Sequence, residues 1–140
     1  MQRHVIISCA PQDERYRSKV MKWAQQGQLG ERVTAISIDD RRFFFADGSM
    51  NVELLAYSLK ESPLVIVLVG DYNWDHPWLD WEGEFCHQWG IKRVVVRIPY
   101  SKGQLPEPIA LLREISYNPN AIEKEVRDRA TKQYFFATAD

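Results

Sequence analysis

Leu64-Val65-Ile66-Val67-Leu68-Val69, closed by Gly70, is apolar on both faces of any strand it could form. A strand with one wet face alternates apolar and polar residues. An unbroken run of six suits the middle of a parallel sheet covered from both sides. Pro63 stops any helix arriving from the N-terminal side, so the run predicts a central strand entered from a helix.

Segments of both kinds flank this strand in alternation. On its N-terminal side, Val52, Leu55, Ala56 and Leu59 recur at helical spacing, and Val33 to Ile38 reads as a strand ending at Asp39-Asp40. Earlier still, Tyr16, Val20, Trp23 and Ala24 mark a helix opened by Pro11, and Val5 to Ser8 reads as the first strand. Arg41 to Ser49 is expected to be an irregular loop. On the C-terminal side, Pro77 opens a helix that reaches Trp89, with Gly90 as its stop. Arg93 to Ile98 is a further buried strand. A short helix near Leu111, a weak edge strand at Ile115 to Tyr117 and a closing helix through Ile122, Val126 and Ala130 complete the pattern. Glu123/Arg127 and Glu125/Arg129 are i,i+4 pairs on that last helix.

This alternation predicts one α/β domain over residues 1–140: a flavodoxin-like, doubly wound parallel sheet of four or five strands. The expected order is 2-1-3-4-5, with helices on both faces. In that order the chain reverses between strands one and three, and ligands bind there, outside the C-terminal ends of the strands. Ser8-Cys9-Ala10 and Gly70 to Glu82 should converge on the crevice.

Composition narrows the function classes. The 140 residues are 45% hydrophobic and 26% charged, with a formal net charge of -1. Without a basic run there is no electrostatic reason to expect nucleic acid as a partner. No apolar run approaches the length of a membrane span, so no membrane partner is expected. Cys9 and Cys86 form no CxxC, and the short apolar stretch Val5 to Ile7 is no signal peptide; cytoplasmic localisation is the expectation.

The stretch Trp74-Asp75-His76-Pro77-Trp78-Leu79-Asp80-Trp81-Glu82-Gly83-Glu84 carries the chemistry. On a helix from Pro77, Trp78, Trp81, Phe85 and Trp89 share a sector that should face the sheet. Glu82 falls about 40° from Trp78, on the edge of that stripe, while Asp80, Glu84 and His87 point to solvent. A carboxyl in apolar surroundings has a raised pKa, and such groups cluster at functional sites. The alternative is a boundary glutamate paired to a nearby arginine or capping the Ser8 loop. His76, Glu82, Cys86 and His87 do not converge by spacing, so no metal site is expected. Cys9 lies beside the crevice with no histidine placed to activate it.

Ile7-Ser8-Cys9-Ala10 with Asp13 resembles the first signature box of TIR (Toll/interleukin-receptor) and TIR-like domains. Ser62 to Gly70 followed by Trp78-x-x-x-Glu82 resembles their third strand and following helix, and Arg93 to Ile98 with Pro99 their fourth strand. The resemblance is nearest to the bacterial TIR-like subfamily of Thoeris anti-phage systems and covers roughly Val5 to Pro108. Tyr134-Phe135-Phe136 stands in place of the Phe-Trp box of receptor TIR domains. An aliphatic residue would be more usual where Gly83 stands.

The resemblance implies an enzyme that cleaves the nicotinamide–ribose bond of NAD with Glu82 as catalytic residue. The product would be an ADP-ribose-derived signalling nucleotide, cyclic or conjugated, that a downstream effector binds. NAD would be substrate, with no permanently bound cofactor. Ser8, Cys9, Arg41, Trp74 and Trp78 are the candidate substrate-binding residues, although a tryptophan at helical period also fits a core and Ser8 also fits a helix cap. Such domains complete their sites by self-association through the loop after strand two. There Phe43, Phe44 and Phe45 cannot all face one core, so an interface is one reading and residues tucked under a neighbouring helix the other. A non-catalytic assembly module is the alternative function.

Overall fold

The computed structural model describes residues 3–71, 79–102, 105 and 109–128, with the backbone alone at 79 and 80. Five parallel strands, β1 (Arg3–Ser8), β2 (Val33–Ser37), β3 (Val65–Val69), β4 (Arg93–Arg97) and β5 (Glu114–Ile115), form one sheet in the order β2-β1-β3-β4-β5. The expected doubly wound topology is therefore the observed one. Ile6 pairs with Val65 and Val65 with Arg93, which sets β1, β3 and β4 in register across the centre.

All five residues of β3 are buried. Alternate residues of this strand serve different layers. Ile66 and Leu68 join Val5, Ile7, Val94 and Val96 beneath α1 (Glu14–Gln25) and the closing helix α4 (119–128). On the other face Val65 joins Ile6, Ile36 and Ile38 beneath α2 (Val52–Glu61) and α3 (Leu79–Gln88). Each buried Val, Leu or Ile contributes about 1.5–3 kcal/mol relative to exposure, which is why a run apolar on both faces dictates the central position.

The helices start and stop for local reasons. Asn51 caps α2, its side chain accepting the Leu54 N–H at 3.2 Å. The chain turns out of α2 at Ser62, whose hydroxyl donates to the Leu64 carbonyl at 2.7 Å. Tyr117 closes the other face: its hydroxyl donates to the Tyr16 carbonyl at 2.9 Å, and its ring packs on Tyr16 and Trp23.

One local expectation is corrected. Arg41 to Ser49 is ordered: a 3-10 turn at Arg41–Phe43 leads into a tight hairpin in which Phe44 bridges Met50. Asp40 caps the turn and Asp47 receives the Ser49 N–H, so aspartates do what a regular element would. Leu111 is fully exposed on a turn just after Ile109, which is 3-10 helical; residues 106–108 lie outside the described residues. Glu123 does pair with Arg127 at 3.6 Å, but Glu125 is buried and receives Lys92 at 2.5 Å and Arg113 at 3.1 Å, from just ahead of β4 and β5. Arg129, Ala130 and Tyr134 to Phe136 lie outside the described residues.

Candidate functional site

The alternation of β1 decides what meets α3. Ile6 and Ser8 point toward α2 and α3, whereas Val5, Ile7 and Cys9 point toward α1. Ser8 is fully buried at the C-terminal end of β1. Cys9, its neighbour in sequence, is thereby carried to the opposite layer and is not brought to Glu82.

Glu82 is 0% exposed. The phase of α3 differs from the expected one: Glu82 and Cys86 face the sheet, with Trp81 and Phe85 half-buried on their flank. Trp89, expected in the buried sector, is 52% exposed, and Lys60 of α2 sits 3.7 Å from its ring centroid. Stacked Trp81 and Phe85 fill the flank instead of the centre. The acid therefore occupies the middle of the buried face and not its edge.

Arg93, the first residue of β4, reaches the same point. Its Nη1 lies 3.8 Å from Glu82 Oε1, and both side chains are almost wholly enclosed. That distance makes an ion pair without a hydrogen bond: both Glu82 oxygens and Arg93 Nη1 are buried with no hydrogen-bond partner of regular geometry among the described residues. Burial pushes the Glu82 carboxyl up from 4.5 to about 7; the Ser8 hydroxyl and the Arg93 guanidinium oppose it without prevailing. A carboxyl poised there holds or releases a proton at neutral pH, the property a general acid or base needs.

Gly83 is explained by this arrangement. A Cβ at position 83 would meet Arg93 Nη2 at 3.3 Å and Nη1 at 3.5 Å. Glycine inside a helix costs about 1 kcal/mol relative to alanine, and here it leaves a channel for the guanidinium. Arg93 was not singled out from the sequence; Gly83 beside the acid was its one local signal.

The remaining candidates divide. Arg41 is exposed on the turn after β2, while Arg42 pairs with Asp40 at 3.1 Å. Phe43 is fully buried in the layer of Ile6 and Cys86, Phe44 packs half-buried against it, and Phe45 is 54% exposed. Trp74 and Trp78 lie outside the described residues. Burial raises the Cys9 thiol to about 11 and the Cys86 thiol to about 12, so neither is a ready nucleophile.

Asp13, on the 3-10 turn before α1, is a second acid at the C-terminal end of β1 that sequence reasoning named only as part of the signature box. It is 6% exposed, and its Oδ2 has no hydrogen-bond partner among the described residues.

No curated protein matches the chain. The family described as "Thoeris protein ThsB, TIR-like domain" matches residues 7–103, a span that runs from the end of β1 past β4 and includes Glu82 and Arg93. That span exceeds half of the 140 residues, and the chain belongs to the Thoeris ThsB TIR-like domain family.

Proposed function

We propose that this TIR-like domain cleaves the nicotinamide–ribose bond of NAD and makes an ADP-ribose-derived signalling nucleotide, cyclic or conjugated, in bacterial anti-phage defence. The observation that carries this reading is Glu82: a carboxyl enclosed at the switch point, beside Ser8, with no hydrogen bond of regular geometry to either oxygen among the described residues. Nicotinamide departs with the electron pair of the C1′–N bond as a neutral base, so no proton need be supplied to it. Positive charge develops on the ribose, and a carboxylate in a dry site stabilises it or accepts a ribose hydroxyl. The new bond at C1′ forms to water or to another nucleophilic atom, which loses its proton. Ser8 is the companion residue in this reading; Arg41, Trp74 and Trp78 would contact the nucleotide from the surrounding loops. The protein would act in the cytoplasm, assemble with further copies of itself and pass its product to an effector.

The test is nicotinamide release from NAD by the wild type and by Glu82→Gln, followed by chromatography. The wild type should release nicotinamide and the variant at least about 100-fold less, the scale on which removing a transition-state stabiliser acts. Equal release from both would remove Glu82 from the reaction. A non-catalytic assembly module remains the second reading because Phe45 stands exposed beside two packed phenylalanines and Arg93 already pairs with Glu82. It predicts oligomers that Phe45→Ser dissociates, with no nucleotide turnover.

A further inference from the structure

A cleft of about 450 Å³ opens at the C-terminal ends of β1, β3 and β4, between the start of α1 and the segment after β4. Asp13, Gly70, Asp71, Tyr100 and Ser101 are among its lining. It lies at the strand-order reversal, where an open α/β sheet receives ligands. Asp13 enters it from the α1 layer, whereas Glu82 belongs to the α3 layer.

Asp13 is held there at a cost. Its carboxyl lies over Gly70: a Cβ at that position would be 2.6 Å from Oδ2 and 2.8 Å from Oδ1. Any side chain at position 70 would displace the acid. Burial first, and then the neighbouring Asp71, raise the Asp13 pKa, which marks a desolvated group with a second acid close by. Arg15, the cation of the lining, donates to the Tyr16 hydroxyl at 3.0 Å and lies over the Tyr16 ring. The Lys102 N–H donates to Asp71 Oδ1 at 3.0 Å, tying the segment after β4 to the end of β3. Among the described residues this buried acceptor has no donor, and such a group calls for a donor from outside.

Two kinds of ligand relieve such a carboxylate. A metal ion prefers several protein ligands, and no cluster of three His, Cys, Asp or Glu occurs among the described residues. A vicinal diol needs only two nearby acceptors and brings two O–H donors, and the cleft has the volume of a small-molecule site. We propose that Asp13, with Asp71 and Ser101 beside it, binds the vicinal diol of a ribose ring in a nucleoside-class ligand. One ribose hydroxyl donates to Asp13 Oδ2 and the other to Asp71. That the sugar is ribose rests on the nucleotide reading of Glu82; the diol chemistry does not.

Adenosine and 2′,3′-dideoxyadenosine serve as probes, titrated calorimetrically into wild type, Asp13→Asn and Asp71→Asn. Adenosine should bind the wild type at least tenfold more tightly than the dideoxy compound. Asp13→Asn should erase that preference and leave dideoxyadenosine binding unchanged. Asp71→Asn, at an exposed position, should reduce the preference several-fold without endangering the fold. Equal affinity of the wild type for both probes, no binding of either, or an unchanged preference in Asp13→Asn would overturn the proposal. Neither probe carries a nicotinamide bond, so failure of NAD cleavage leaves this result standing, and failure here leaves the Glu82 test standing.

Discussion

Arg93 reaches Glu82 only because position 83 has no side chain: a Cβ there would stand 3.3 Å from Arg93 Nη2. The helix yields stability at Gly83, and the sheet sends an arginine through the opening to within 3.8 Å of a buried acid. Ser8 approaches the same carboxyl from the end of β1.

The Glu82 proton makes stability fall as pH rises. Its pKa is raised from 4.5 in the unfolded chain to about 7 in the fold. Between those values the folded state keeps a proton that the unfolded state has lost. Stability is therefore greatest below 4.5, declines up to about 7 and then levels, by an amount on the order of 3 kcal/mol. Urea unfolding at pH 5 and pH 8 should show the wild type weaker at pH 8. Glu82→Gln should remove most of that difference.

Arg93→Met should act unevenly across the same range. At pH 8 the ionised Glu82 would be left buried and unpaired, a loss of about 3–5 kcal/mol. At pH 5 a protonated Glu82 has no charge to orphan, and the loss should be much smaller. A substitution costing equally at both pH values would mean that the 3.8 Å approach has no electrostatic consequence.

Gly83→Ala separates helix propensity from the arginine's passage. Alanine gains about 1 kcal/mol of helix stability at an unobstructed site. The obstruction is the far end of a flexible side chain, so the guanidinium yields by a few tenths of an ångström. Overall stability should stay within about 1 kcal/mol of wild type, while the Glu82 pKa, followed by carbon-13 NMR of the labelled carboxyl, rises further.

The two thiols should be silent in the native protein. Cys9 at about 11 and Cys86 at about 12, both buried, hold almost no thiolate at pH 8. An aromatic disulfide reagent should react with neither within minutes and with both after denaturation. Rapid native labelling of Cys9 would contradict its position in the α1 layer.

Phe43 and Phe45 should differ in what their loss reads out. Phe43→Ala empties a fully buried site and should cost about 3–5 kcal/mol in urea unfolding. Phe45→Ser should change stability by less than about 0.5 kcal/mol and act on self-association, read by sedimentation.

Much of the fold could be read in advance because it rests on patterns of period two and 3.6. Leu64 to Val69 predicted the central strand, and Pro63 and the Val52 to Leu59 spacing predicted the helix before it. The 3-10 turn and hairpin at Arg41 to Met50 escaped because side-chain caps build them, with no hydrophobic period to show. Glu125 was read as a helix partner of Arg129; among the described residues it meets Lys92 and Arg113, which come from just ahead of β4 and β5. The same limit hid Arg93, whose meeting with Glu82 is a tertiary event. Helical spacing did single out Glu82 among the acids of α3, but it placed the aromatic stripe at the centre. The helix ends at Gln88, so Trp89 falls beyond it and stays exposed, while Glu82 and Cys86 take the buried face.

Because Ser8 and Cys9 serve opposite layers, β1 tolerates no slip. One residue deleted within Arg3–Ile7 would exchange a hydroxyl for a thiol beside the acid and press the serine into oil. The length of this strand, as much as its composition, is thus part of the site's chemistry.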